Sequence, residues 1–313
     1  MREYKREEIK IKKEKKTKLK IRKITLVGIV LVSISSTIMF GINRYKEIEI
    51  EKQEEIKILE EQKIKEQEEL KKLEELKKPM VGVNHDVKGY TYDAKKVSQK
   101  INSYDYNNNG EKVVFLTFDD GASTTVTPKI LDVLEEYDVH ATFFVTGSII
   151  DKGGEESKKL IKEAFDNGNA IANHSYSHEY SYLYPNRNLN LENFKADFAK
   201  TDEILKDILG DNFSTNVLRC PGGHMSWNNM DELDIYLKQE GLASVDWNAI
   251  NADAEGKKKT AQELVKYAID TSKGKEMVVL LMHDTYGKEE TAKALPKIIE
   301  YYKENGYEFK VLV

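Results

Sequence analysis

The 313 residues hold a single cysteine, Cys220, so no disulfide can form within the chain and a zinc site built on several thiolates is excluded. A basic excess is missing as well. The formal net charge is −5, and the basic and acidic runs lie in separate places, which gives no case for a nucleic-acid partner. Residues 24–42 lack charge altogether, although 33% of the chain is Asp, Glu, Lys or Arg. At about 1.5 Å rise per residue, a helix over these positions runs roughly 28 Å, close to the hydrocarbon thickness of a bilayer. A small-x-small cleavage site is also absent around Met39-Phe40-Gly41-Ile42-Asn43, and the stretch exceeds the apolar region of about 7–15 residues typical of a cleaved signal. It is expected as a signal anchor.

Residues 1–23 carry twelve Lys or Arg against four Glu, too much charge for a packed core, and are expected as a disordered or surface-lying tail. That charge orients the anchor with the tail in the cytoplasm and everything later outside, a single-pass topology at the cell membrane. Residues 43–78 contain no Gly or Pro and alternate charge with scattered Ile and Leu. They read as a charged helical stalk, whose part over 47–78 spans roughly 50 Å if fully helical. Pro79 ends it. Ile56, Leu59, Leu70 and Leu73 fit a and d positions, but Lys63 and Glu66 interrupt the heptads, so the coiled-coil signal is weak and self-association through the stalk is left open. Residues 79–110 are polar and close on the turn cluster Asn107-Asn108-Asn109-Gly110, which reads as a linker.

From residue 111 onward, strands alternate with amphipathic helices. Strands are predicted from 113, at 141–145, 170–173, 217–219, 242–245, 277–282 and 308–313, and helices at 128–137, 156–167, 191–209, 231–239, 260–272 and 291–305. Repeated βα units over about 200 residues imply a parallel sheet or a small barrel in an α/β domain. Such folds place their sites at the C-terminal ends of strands, and the polar clusters fall there. The first strand runs into Asp119-Asp120-Gly121. Within a strand the two carboxylates would face opposite ways, so Gly121 is expected to let the backbone turn and bring both to one pocket. His174-Ser175-Tyr176-Ser177-His178 places two imidazoles four residues apart. On a helical turn they share a face and can chelate one metal, with an Asp as third ligand and an open position for water.

Arg219-Cys220-Pro221-Gly222-Gly223 offers a guanidinium that can hold a carboxylate ionised and backbone N–H groups for an oxyanion. His283, after the 277–282 strand, is a candidate general acid, and Asp246 at another strand end could orient it. No base is evident for Cys220, which reads as a small buried residue. His85 and His140 read as bland, Trp227 as packing or rim, and His224 as a neighbour of the site.

Taken in order, these motifs resemble the polysaccharide deacetylases of the NodB-homology type, carbohydrate esterase family 4. They are TFDDG at 117–121, HSxxH at 174–178, R-x-P-G at 219–222, DW at 246–247 and L-x-H at 281–283. The resemblance spans roughly residues 111–313. It implies a distorted (β/α) barrel and metal-dependent removal of N-acetyl groups from a GlcNAc-containing polymer. It further implies Asp119 as base, Asp120, His174 and His178 as metal ligands, and Arg219 as partner of Asp119. His283 would be the acid with Asp246 as its partner, Gly222 would offer its N–H to the oxyanion, and Trp247 and Leu281 would line the substrate subsite. The commonest form of the third motif reads R-P-P followed by a larger residue; Cys220 and Gly222 stand here instead, which alters the pocket wall. The cofactor expected is a divalent metal ion, zinc in the first place. Anchor and stalk favour peptidoglycan as the polymer, with poly-N-acetylglucosamine, chitin oligomers or xylan as the alternative, and a non-catalytic scaffold at the membrane or wall as the rival of another class.

Overall fold

The computed structural model describes residues 2–87 and 89–313; Met1 in the basic tail and Lys88 in the 79–110 segment lie outside the described residues. The chain divides into two compact units, Met1–Glu74 and Glu75–Val313.

The first unit is formed by helix α1, Arg2–Leu76, which ends two residues past that boundary. The basic segment read as a disordered or surface-lying tail is thus drawn as helix, continuous with the stalk. Lys, Arg, Glu, Ile and Leu all tolerate helical φ/ψ, no Pro intervenes, and each of the two glycines inside weakens a helix by only about 1 kcal/mol. Every described side chain on it is exposed. Within Lys12–Glu74 an 18-residue window reaches a mean hydropathy of 2.1 with none of it buried, which makes this helix a candidate membrane span or signal sequence by length and composition. Ile24 and Phe40 are 68% and 73% exposed, an apolar surface left uncovered.

The second unit is built on one parallel sheet of eight strands: β1 (Val113–Gly121), β2 (Thr142–Val145), β3 (Ala170–Asn173), β4 (Val217–Leu218), β5 (Ala243–Ser244), β6 (Ala249–Ile250), β7 (Met277–His283) and β8 (Glu308–Phe309). Their order is β5-β4-β3-β2-β1-β7-β6, with β8 beside the start of β1. Strand β1 is the axis. Along one side β7 pairs with it from Met277↔Val113 to His283↔Asp119; the other side is shared between β8 at Val113 and Val114 and β2 from Thr117 onward. Each strand and helix predicted from residue 111 onward has a counterpart, and the distorted (β/α) barrel expected takes the form of a curled parallel sheet.

Strand alternation divides the core in two. Val114, Leu116 and Phe118 on β1, with Val278, Leu280 and Met282 on β7, pack under the helices. Val113, Phe115, Met277, Val279, Phe144 and Ala172 fill the concave side. Counting on by twos, Asp119, His174 and His283 leave their strands on the concave side as well. The edge strands β5 and β6 are joined by four residues, 245–248. Five Cα steps reach no more than about 18 Å, so the sheet must curl until its edges nearly meet.

Residues 79–110 belong to this unit rather than linking to it. Thr91–Tyr92 pairs with Val311–Leu312, and Met80–Val81 with Phe213–Ser214. Helix α2, Ala94–Asn102, is capped by the Asp93 side chain and buries Ala94, Val97 and Ile101 in the concave-side core. The i, i+3, i+7 spacing of those three residues is a helical face, but lysines dilute it and two-residue strands carry almost no periodicity. A fragment beginning at Lys78 should therefore unfold cooperatively, whereas one beginning at Glu111 forfeits burial of Val97 and Ile101, about 1.5–3 kcal/mol each. Thermal unfolding followed by circular dichroism should place the shorter fragment at least about 10 °C lower; equal midpoints would show that residues 79–110 add nothing to the fold.

Candidate active site

The end of β1 departs from regular strand. Its register with β2 shifts between Asp119 and Gly121, and Asp120 has φ +66°. The turn expected at Gly121 is thus taken by Asp120 itself, a residue type that tolerates the left-handed region better than most. Gly121 serves another need: a Cβ there would overlap the Asp284 carboxylate. Asp284 is fully buried. Thr127 Oγ1 donates to its Oδ2 (2.6 Å), Ser123 Oγ donates to its carbonyl (2.6 Å), and burial pushes its carboxyl up to about 7.

Asp119 remains on the concave side, 3% exposed, with Oδ1 2.7 Å from Arg219 Nη1. Arg219 leaves β4 and is itself fully buried. Its Nε donates to Val245 O (2.7 Å) and its Nη1 also donates to Thr117 Oγ1 (2.9 Å). A buried guanidinium is tolerated only when paired and hydrogen-bonded in this way.

The HSYSH segment follows β3 as a tight irregular loop rather than the expected helical turn, with Ser175 at φ +72° and His178 at φ +53°. Asp197, on helix α5 after α3 and α4 (Thr127–Glu136, Gly147–Asp166 and Leu191–Leu209), fixes that loop. Its Oδ2 accepts from Tyr176 N (3.0 Å), Ser177 N (2.9 Å) and Ser177 Oγ (3.1 Å). His174 Nδ1 lies 2.8 Å from Arg219 O. A carbonyl can only accept, so Nδ1 carries the proton and Nε2 turns its lone pair to the pocket.

Asp120 Oδ1 is 3.6 Å from His174 Nε2 and 3.5 Å from His178 Nε2, and the ligand atoms of all three residues lie within 4.8 Å of one another. Ligand atoms about 2.0–2.2 Å from a tetrahedral centre sit roughly 3.4 Å apart, so Asp120 and the two imidazoles are spaced as ligands of one divalent cation. Protonation agrees. Burial holds the His174 imidazole below its ordinary value. Burial works to raise Asp120, but His174, His178 and His283 outweigh it and keep the carboxylate low.

His283 ends β7 opposite Asp119. The expected partner, Asp246, does not reach it. Asp246 leaves β5 at one edge of the sheet and accepts from His224 N (2.9 Å) and Met225 N (3.4 Å), fixing the turn after Gly223. Asp253 takes the place instead. It follows β6, which pairs with β7, so it emerges beside His283. Its Oδ1 is 2.7 Å from His283 Nδ1, and its Oδ2 accepts from His283 N (2.9 Å) and Thr291 Oγ1 (2.6 Å). Burial would lower His283, yet Asp253 dominates and the imidazole is pushed up to about 9. Sequence reasoning missed Asp253 because the two-residue β6 gives no strand signal.

Gly222 has φ +76°, and a Cβ there would come within 3.1 Å of the Trp227 ring and 3.3 Å of Tyr180 Oη. Trp227 stacks on Tyr184 at 4.2 Å, in keeping with packing. Trp247 packs against the concave-side core, and Leu281 is buried two residues before His283. Cys220 is fully buried, and burial pushes its thiol up to about 12. His140 stacks on Tyr90, and His224 Nε2 meets Asp234 at 2.9 Å.

The sequence profile of the polysaccharide deacetylase family matches residues 106–236. A peptidoglycan-N-acetylglucosamine deacetylase of Bacillus cereus is 30% identical over 203 residues, 64% of this chain and 86% of the relative. The peptidoglycan-N-acetylmuramic acid deacetylase PdaA of Bacillus subtilis is 30% identical over 234 residues, 73% of this chain and 80% of the relative. Among solved structures, a Streptococcus mutans CE4 esterase superposes with a TM-score of 0.68 at 40% identity, covering 76% of this chain and 99% of that one.

The two candidate partners of His283 are separable by titration. In an NMR pH titration of the histidine ring resonances, His283 should titrate near 9 in the parent protein. With Asp253→Asn it should fall toward its ordinary value of about 6.5, because the carboxylate that favours the charged form is gone. Asp246→Asn should leave it in place. A drop with Asp246→Asn and none with Asp253→Asn would reverse the pairing.

Proposed function

The chain belongs to the polysaccharide deacetylase family, and we propose that it hydrolyses N-acetyl groups from a cell-wall polysaccharide, peptidoglycan GlcNAc in the first place, in a metal-dependent reaction. One observation carries the reading. The C-terminal ends of four strands of one sheet, β4, β3, β1 and β7, bring together a buried carboxylate paired with Arg219, a three-residue ligand set, and an imidazole held in its charged form. Such a set suits acyl transfer to water, and a scaffold has no need of it.

Asp120, His174 and His178 would hold the cation, with zinc favoured by the donor set. When bound, a divalent cation there supplies Lewis acidity toward the acyl oxygen and acidifies a neighbouring water. Asp119 is the base. Its Oδ1 is committed to Arg219, and its Oδ2, 3.6 Å from His174 Nε2, faces the pocket and takes the proton of the attacking water. The Gly222 N–H, which no described protein acceptor takes, points to an oxyanion role. His283 enters protonated and delivers its proton to the leaving amine, while Asp253 holds the ring and favours the cation it starts from. The products are acetate and the free amino sugar. Trp247 and Leu281 bound the space for the acetyl group. Peptidoglycan is favoured by the uncharged helical stretch at 24–42. Read as a single-pass anchor with the basic tail in the cytoplasm, it would hold the catalytic unit at the outer face of the membrane.

Asp119→Asn and Asp120→Asn separate the two adjacent roles. Acetate release from N-acetylated peptidoglycan and metal content by elemental analysis are measured together. Asp119→Asn should retain the metal and lower kcat by about 10²–10⁴-fold, a typical general-base contribution. Asp120→Asn should lose metal and activity together, and chelation should abolish acetate release while leaving the fold intact. Acetate release that survives complete metal removal would sink the mechanism.

A further inference from the structure

A pocket of about 220 Å³ begins at the site and runs beyond the residues to which the reaction assigns a role. One end is formed by Gly222, Gly223 and Trp247, and the far wall is supplied by residues 101–106, just after α2. This volume is below the roughly 300–1,000 Å³ of a drug-sized site and suits a single ring. Tyr104 and Met225 on its rim are 70% and 64% exposed. Tyr104 also sits at φ +55°, uncommon for a bulky side chain. The backbone is held there: Tyr104 N donates to Ile101 O (3.1 Å), Asp105 N donates to Lys100 O (3.0 Å), and Lys100 Nζ bonds Asp105 Oδ2 (3.0 Å) and Asn107 O (2.6 Å). A large apolar face is thus kept in solvent by a structured turn.

The composition of the pocket selects among occupants. Tyr104, Tyr106 and Trp247 offer aromatic faces, while Asn102 and Ser226 offer neutral hydrogen-bonding groups. No residue lining it is basic, and its one carboxylate, Asp246, is engaged by the His224 and Met225 N–H groups. That is poor chemistry for an acidic peptide and good chemistry for a neutral sugar, whose C–H face packs on aromatic rings and whose hydroxyls bond amide and hydroxyl groups. We propose that Tyr104, Tyr106, Met225 and Trp247 form a subsite for a sugar ring flanking the one whose acetyl group reaches Gly222, so that residues 101–106 set a preference for longer glycan chains. The inference rests on the deacetylase reading for its substrate class. Continuity of the pocket with Gly222 places the flanking ring on the same chain.

The full-length protein in detergent micelles is given N-acetylglucosamine, which has no flanking ring, and its β-linked tetramer. Tetramer binding is measured separately by calorimetry on the Asp119→Asn background, where no turnover interferes. Tyr104→Ala and Met225→Ala, both exposed and compatible with folding, should each weaken tetramer binding by between about threefold and tenfold, the range of one lost aromatic-type contact. The kcat/KM on the tetramer should fall by the same factor and that on the monomer should not. Failure of the parent to bind tetramer, unchanged binding in both variants, or an equal loss on monomer and tetramer would each overturn the subsite. If the parent binds tetramer in a Tyr104-dependent way but releases no acetate from either saccharide, the deacetylase reading fails while the saccharide subsite stands.

Discussion

The charge that Arg219 carries into the interior is the constraint on which the rest of this domain depends. Its guanidinium is wholly removed from water, and desolvating an ion of that size costs several kcal/mol unless every donor is met. The partners come from two places: Thr117 and Asp119 on the axial strand, and the Val245 and Asp246 carbonyls in the connection between the edges of the sheet. The arginine's own carbonyl fixes the tautomer of His174. One residue therefore ties the position of the base to the orientation of a metal ligand, and a change that loosens the interior there disturbs both.

Two imidazoles in this pocket are driven in opposite directions by what touches Nδ1. On His174 that contact is a neutral carbonyl and burial wins, so the ring stays uncharged and suited to ligation. On His283 it is the Asp253 carboxylate, and the ring stays protonated. Environments that push like groups apart assign them different tasks without any difference in residue type.

The sequence made much of this legible because chemistry-bearing residues sit one step past apolar strands, where alternation dictates which face they take. Asp119, His174, Arg219 and His283 could be placed in that way, whereas Asp120 and His178 reach the pocket through left-handed backbone. What escaped had no periodic signal. Asp253 follows a two-residue strand, so topology rather than pattern delivers it to His283, and Asp246 sits one strand too far around the sheet. The polar look of residues 79–110 hid a helix whose buried face is three residues wide. Asp120, not the glycine beside it, takes the left-handed backbone. The demand on Gly121 comes from Asp284, more than 160 residues away, which no local reading could foresee.

A parallel sheet that curls without closing leaves two strands whose outer backbone groups have no strand to bond. Here both are met by hydroxyls. Ser98 on α2 donates to Ser244 O (2.6 Å) at one margin, and at the other Thr271 Oγ1 accepts from Ile250 N (3.0 Å) and bonds Ile250 O (3.0 Å). With these groups engaged and only four residues spanning the gap, the seam of the half-barrel offers little template for a strand of another molecule. The domain thereby gains the resistance to edge-to-edge aggregation that complete barrels have, while keeping one flank open.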